Sequence, residues 1–340
     1  MDQHTQTPSV ALKRLVDGYQ ISQVLHVAAT LGIADLLRDG PRANDDLAAV
    51  TKAHPRALYR LLRALASVGV LDEEADRRFG LTPLGNALRS DVPESLHGWA
   101  MYIGQPYVWQ AWGDLLHSTK TGENAFQHVH GMDVWAYRAS NPEENAIFNS
   151  AMTALSRRAT EAILSAYDFG QFHRIVDVGG GRGVLLAALL AHHPTMHGVL
   201  FDLPHVVANA AQALQDVGVT NRCEIVDGDF FVAVPDGADA YILRAVLHDW
   251  EDAEATAILA SCRRAIGAGG RLLVIEWAVG PPNEGRDGKF SDLNMLVAAG
   301  GQERTREEYS ALFAAAGFDL TNVFPTRSGH AIMEGVSIGI

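Results

Sequence analysis

The sequence predicts an α/β protein in two main parts: a mainly helical N-terminal domain closed by a small hairpin, and a larger C-terminal domain built on a parallel sheet covered by helices. Three observations point there. Before Ser95, apolar residues recur at the three-to-four spacing of amphipathic helices. From Arg174 onward, short apolar runs alternate with helix-like segments, which implies parallel strands with helices on both faces. At 340 residues, 48% of them hydrophobic and 20% charged, the chain exceeds one core's usual size and can bury more than one.

In the first part, Met1–Ser95, one stripe holds Ile21, Val24, Leu25 and Ala28, and Leu36 and Leu37 follow it. Asn44-Asp45-Asp46 opens a short helix. Pro55 fits the first turn of another, with Leu58, Leu61, Leu62, Leu65 and Ala66 on one face and Gly69 at its end. Val70-Leu71, a polar turn at Glu73–Asp76, and Phe79 with Leu81 read as two short strands, so the part is a winged helix. Its eleven Lys or Arg against twelve Asp or Glu leave it at −1, within a chain of −13. DNA-binding domains carry a basic excess. Arg56, Arg60 and Arg63 therefore read as a solvated helix face, and dimerisation, with no nucleic acid, is the expected role.

The middle part, Leu96–Asp168, is helical and aromatic, with nine aromatic residues between Trp99 and Phe148. That density suits packing between domains, the lining of a pocket for a flat ligand, or both. In the third part, Phe169–Ile340, strands are expected at Ile175–Val178, Gly198–Phe201, Cys223–Val226, Ala240–Leu243 and Leu272–Ile275. Helices are expected at Leu185–His193, Val206–Val217 and Ala253–Ile266. Thr305 and Glu308 form a capping box for a last helix ended by Gly317, and strands at Leu320–Phe324 and Ala331–Val336 close the chain. No basic-then-apolar leader occupies Met1–Val16, no apolar run nears the roughly 18 residues that cross a bilayer, and Cys223 and Cys262 are the only thiols. The expectation is a cytoplasmic protein with both cysteines reduced and no membrane partner.

The most informative stretch is Val176-Asp177-Val178-Gly179-Gly180-Gly181-Arg182-Gly183, between a strand and a helix, where a nucleotide-like cofactor meets backbone amides. A dinucleotide fingerprint would place a small residue at 184, where valine stands. The pattern is D-x-G-x-G-x-G. Asp177 suits an ammonium and repels a pyrophosphate, which favours S-adenosylmethionine over NAD. Asp202 follows the second strand at the distance from which a carboxylate reaches ribose hydroxyls. In Gly228-Asp229-Phe230, Asp229 suits the adenine amino group and Phe230 the ring face. After the fourth strand, Leu247-His248-Asp249-Trp250 puts an imidazole at the cleft mouth, where it can take an acceptor's proton. Glu276 and Glu303 are the carboxylates expected to orient it. His128 and His130 have strand-like metal spacing without a partner cluster, so no metal is expected.

Through VDVGGGRG, FDLPHV, GDFF, LHDWED and GGQERT, the chain resembles the S-adenosylmethionine-dependent small-molecule O-methyltransferases, plant phenolic and bacterial natural-product enzymes, over about Leu12–Ile340. The resemblance implies a Rossmann-like catalytic domain, a winged-helix dimerisation domain, a homodimer and metal-independent transfer that yields S-adenosylhomocysteine. It implies His248 as base, flanked by Glu276 and Glu303. It places Gly179, Asp202, Asp229, Phe230 and Arg244 at the cofactor, with Trp250 near the adenine and Ser156 near the methionyl end, and Asp177, Gly181, Leu203 and Gly228 are further cofactor-binding candidates. Arg244 stands where plant enzymes usually have lysine, and Leu155 where a pocket histidine often sits. Trp99, Met101, Trp135, Phe148, Met152, Asp292, Asn294 and Met295 are candidates for the acceptor pocket. The expected reaction is methylation of a phenolic hydroxyl on a small aromatic acceptor. A winged-helix regulator, or a relative that binds the cofactor for decarboxylation or hydroxylation, is the alternative. Relatives that lost methyl transfer typically changed the base, and this chain keeps His248.

Overall fold

The computed structural model describes residues 7–208, 210–267 and 269–338. The outer ends of the expected first and third parts, and one residue of the expected helix Val206–Val217, lie outside the described residues. The chain forms two compact units, Met1–Gln110 with Arg138–Leu155, and Ala111–Tyr137 with Ser156–Ile340, so the aromatic middle part is shared between them.

In the first unit, helices Gly18–Thr30, Asn44–Thr51 and Pro55–Ser67 close over a core of Ala28, Ile33, Leu47, Leu58, Leu62, Leu65 and Phe79. Pro55 sits in the first turn, where its missing N–H costs nothing. The hairpin pairs β2 (Leu71–Glu74) with β3 (Arg78–Leu81), and β1 (Arg42–Ala43) adds a third strand on the other side of β3. Two residues show no alternation, so β1 left no mark in the sequence. Helix Pro8–Val16 buries none of its residues and leaves Leu12, Leu15 and Val16 exposed.

The second unit is built on seven strands: β4 (Arg174–Val178), β5 (His197–Asp202), β6 (Cys223–Asp227), β7 (Ala240–Arg244), β8 (Arg271–Trp277), β9 (Phe318–Pro325) and β10 (His330–Ser337). Their order is β6-β5-β4-β7-β8-β10-β9. The first five are parallel, and β10 is antiparallel to both neighbours, so the sheet is mixed. Successive residues of β4 and β7 point to opposite cores. Val176, Tyr241 and Leu243 meet Ile258, Leu312 and Phe313, while Ile175 and Ile242 meet Leu186, Leu189 and Ile163. The capping box at Thr305 and Glu308 is complete and starts helix Arg306–Ala315. Two short helices, Pro204–Val207 and Ala211–Asp216, stand where one was expected. Cys223 and Cys262 are unbridged. Among the described residues no helix is long and apolar enough to cross a membrane. The strand order reverses direction between β4 and β7, and a doubly wound sheet binds its ligands in the crevice at that point.

Candidate active site

The loop after β4 and the loop after β7 meet at this crevice. Gly179 has φ +70°, and a Cβ there would lie 2.7 Å from Cγ2 of Val246, so only glycine fits both the conformation and the contact. Asp202, ending β5, accepts from Gly181 N at 2.8 Å through Oδ2 and from Leu203 N at 2.7 Å through Oδ1. It braces the glycine loop, a role its position alone did not reveal. Gly228 packs against the Phe201 ring and donates its N–H to the Asp202 carbonyl at 3.0 Å.

Asp177 on β4 is buried, and burial pushes its carboxyl up to about 7 despite the Arg244 charge. Burial likewise pushes Arg244, at the end of β7, down to about 10 against the pull of Asp177. One Arg244 nitrogen donates to Ser156 Oγ. Asp177 Oδ2 and Arg244 Nε are buried with no hydrogen-bond partner among the described residues. A buried acceptor and a buried donor left open together fit the ammonium and carboxylate of an amino-acid end group. Asp229 Oδ1 caps Phe231 N at 2.9 Å, and the Phe230 and Phe231 rings meet Trp250 edge-on at 6.1 and 4.8 Å. Phe231 thus joins an aromatic wall in which only Phe230 and Trp250 were expected; its place next to Phe230 was the available signal.

His248 lies in a single turn, Leu247–Asp249, and its side chain is 14% exposed. The chain reaches it through Ala245 at φ +52°, a strained conformation for a residue with a Cβ. Glu276 holds that turn in place. Its Oε1 accepts from the amides of Val246, Leu247 and His248 at 2.9, 2.6 and 3.3 Å, and its Oε2 accepts from the Tyr309 hydroxyl at 2.6 Å. Burial pushes the Glu276 carboxyl above its ordinary value, against the pull of His248 and of these donors. The ring itself bonds to the other carboxylate, His248 Nδ1 standing 2.8 Å from Glu303 Oε1. Of the two expected orienting carboxylates, then, Glu303 aligns the imidazole and Glu276 aligns the backbone that carries it. Ser291 Oγ donates to Glu303 Oε1 at 2.7 Å, and Asp292 Oδ1 accepts from Glu303 N at 3.0 Å.

The bond at Nδ1 leaves Nε2 as the other ring nitrogen, with Asp249 Oδ1 3.8 Å from it. Burial pushes the ring down, yet Asp249, Glu303 and Glu276 outweigh it and hold the ring up at about 10. Asp249 follows His248 directly, so this partner of the ring was visible in the sequence.

Arg304 is a second device the sequence reading missed. It is 1% exposed and spans both loops of the dyad. Its guanidinium donates to Leu247 O at 3.2 Å, Trp250 O at 2.9 Å, Gln302 O at 3.3 Å and Asp252 Oδ1 at 2.9 Å. Gly301 completes the junction, since a Cβ there would fall 2.2 Å from the His248 carbonyl oxygen.

The acceptor candidates fall in both units. In the first, the rings of Trp99 and Phe148 pack on Tyr102 at 5.6 and 5.4 Å, and the Arg138 guanidinium lies 3.3 Å over Phe148. Met152 is half-buried, and Met101 packs against the core of that unit. In the second, Trp135 is partly exposed, Asn294 Oδ1 accepts from Trp112 Nε1 at 3.3 Å, and Met295 opens a π-helical turn, Met295–Ala299. Asp292 is committed to Glu303.

Residues 112–319 match the model of the O-methyltransferase domain, and residues 13–91 match the O-methyltransferase dimerisation domain. The chain belongs to the O-methyltransferase family. It is 44% identical over 326 residues to phenazine O-methyltransferase PhzM of Lysobacter antibioticus, covering 96% of this chain and 95% of that one. The crystal structure of LaPhzM superposes with a TM-score of 0.94 at 44% identity, covering 98% of this chain and 100% of that one. NcsB1, an O-methyltransferase from neocarzinostatin biosynthesis solved with S-adenosylmethionine and 2-hydroxy-5-methyl naphthoic acid, superposes with a TM-score of 0.79 at 35% identity, covering 94% and 96%. This O-methyltransferase is S-adenosylmethionine-dependent.

Proposed function

We propose that this O-methyltransferase methylates a phenolic hydroxyl of a small, flat aromatic natural product, with His248 Nε2 as the base and Asp177, Asp202, Arg244 and the glycine loop holding the cofactor. The observation that carries the proposal is the His248–Glu303 pair at the sheet's switch point, on a turn braced against the glycine loop. S-adenosylmethionine supplies, when bound, a methyl carbon activated by a sulfonium. The protein's own task is to place the acceptor oxygen and remove its proton.

Strength of the base supports a phenol. An ordinary imidazole near 6.5 is roughly 3.5 units weaker than a phenol near 10, an uphill transfer of about 5 kcal/mol. Held up at about 10, the His248 ring is a strong enough base to take a phenolic proton, but it rests as imidazolium at neutral pH and must first lose its own proton. Glu303 fixes the tautomer with the proton on Nδ1, and it stabilises the imidazolium that forms. Positioning contributes more than the base, since effective molarities reach about 10⁵ M and above while general-base help is roughly 10²–10⁴-fold. The dimerisation-domain match and the exposed apolar face of helix Pro8–Val16 support a homodimer assembled through the first unit. The Trp135 ring and the Met295 side chain of the second unit are surfaces proposed for the acceptor.

The test is release of S-adenosylhomocysteine with a panel of hydroxylated phenazines, naphthoates and simple phenols, each paired with the analogue lacking the hydroxyl. One product methyl per S-adenosylhomocysteine, only with the hydroxylated member of each pair, is expected. Turnover indifferent to the hydroxyl would overturn the assignment.

A further inference from the structure

We propose that the first unit carries a binding site for a small oligophosphate, the pyrophosphate or triphosphate group of a soluble metabolite. Helix Pro55–Ser67 presents Arg56, Arg60 and Arg63 on one face, at spacings of four and three residues. With Arg77 from the turn between β2 and β3, they line a cavity of about 600 Å³. All four are exposed, and among the described residues none makes a salt bridge, whereas Arg78 beside them pairs with Glu74 at 3.8 Å. The helix itself contains no acid. Asp45 is the one carboxylate lining the cavity, and it accepts from Asn44 Nδ2 at 3.0 Å.

The arrangement is built around Tyr59. Its hydroxyl donates to Glu73 at 2.8 Å and its ring meets Phe79 at 6.0 Å, so the ring is fixed. The guanidiniums of Arg63 and Arg77 both lie 4.8 Å from its centroid. Gathering four like charges costs Coulombic energy, and two exposed cation–π contacts at about 0.5–1 kcal/mol each offset only part of it. A polyanion offsets the rest. Guanidinium forks match phosphoryl oxygens in pairs, so several of them round one concavity select a ligand with more than one phosphoryl group. A duplex fits poorly, because the adjoining hairpin carries four exposed carboxylates, Asp72, Glu73, Glu74 and Asp76. On this proposal Arg56, Arg60 and Arg63 form a binding face rather than a merely solvated one.

Calorimetry on the full-length enzyme tests it, with pyrophosphate and tripolyphosphate as probes at about 50 mM salt, sulfate as control and a random-sequence duplex as comparator. Pyrophosphate is expected to bind at one per chain, and the double variant Arg60→Ala with Arg63→Ala is expected to weaken it by about tenfold or more. S-adenosylhomocysteine affinity and melting temperature should not move, which separates this result from misfolding and from the methyl-transfer proposal. The site is overturned by absent pyrophosphate binding, by equal binding in the variant or by sulfate binding as tightly. Preference for the duplex, or a variant that turns monomeric in light scattering, would overturn it as well by assigning the face to nucleic acid or to a second copy of the chain.

Discussion

Replacing His248 by glutamine is expected to lower kcat by about 10²–10⁴-fold while S-adenosylhomocysteine still binds within about twofold of its wild-type affinity. Glutamine is chosen because its amide still donates to Glu303, so the buried carboxylate keeps a partner and the loss reads as lost basicity rather than lost structure. The cofactor contacts proposed for Asp177, Asp202 and Arg244 do not involve the ring. Rapid-quench measurement of methyl transfer, with calorimetry for the cofactor product, checks both halves. Turnover unchanged in the variant would remove His248 from the chemistry.

Arg304→Met is expected to destabilise the second unit by about 3–5 kcal/mol, because it strands the Leu247 and Trp250 carbonyls that a buried guanidinium now satisfies. For a unit of this size the melting temperature should fall by about 10 °C. The turn bearing His248 loses its tie to the loop bearing Glu303, so kcat should fall more than KM rises. Arg304→Lys should rescue little of either, since one ammonium cannot serve three carbonyls and a carboxylate. A methionine variant that melts within about 2 °C of wild type with kcat intact would show that the clamp is dispensable.

Most of the architecture was legible because burial writes a period into the sequence. Runs such as Ile175–Val178 and Ala240–Leu243 marked strands buried on both faces, and Thr305 with Glu308 marked a helix start by a local hydrogen-bonding rule. The strands proved longer than expected at their polar ends, where Arg174, Asp202, Asp227, Arg244 and Glu276 interrupt the apolar run. Several of those interruptions fall in the candidate site. The glycine loop and His248 were readable because φ above zero, and the proton transfer proposed for the imidazole, each favour particular residues. What stayed hidden depends on contacts distant in sequence. Tyr309 shares the apolar face of the last helix with Leu312 and Phe313, yet its hydroxyl donates to Glu276, 33 positions away. Arg304 had no reading of its own in the sequence beyond the GGQERT motif, and its burial follows only once two loops close round it. The π-helical turn at Met295–Ala299 has no periodic signature, and the bond from Asn124 Nδ2 to Leu296 O at 2.9 Å that accompanies it comes from 172 residues upstream.

The dependence of kcat/KM on pH, compared between the wild-type enzyme and Glu303→Gln with one phenolic acceptor, tests the base most directly. The ring must be neutral to accept a proton. Carboxylates that raise its pKa therefore move the acid limb upward, and removing one moves it back. The wild-type limb is expected well above the ordinary imidazole value of about 6.5, and the variant's at least about one unit lower with a reduced plateau. Superimposable acid limbs would contradict an imidazole at residue 248 tuned by Glu303 as the group that takes the acceptor's proton.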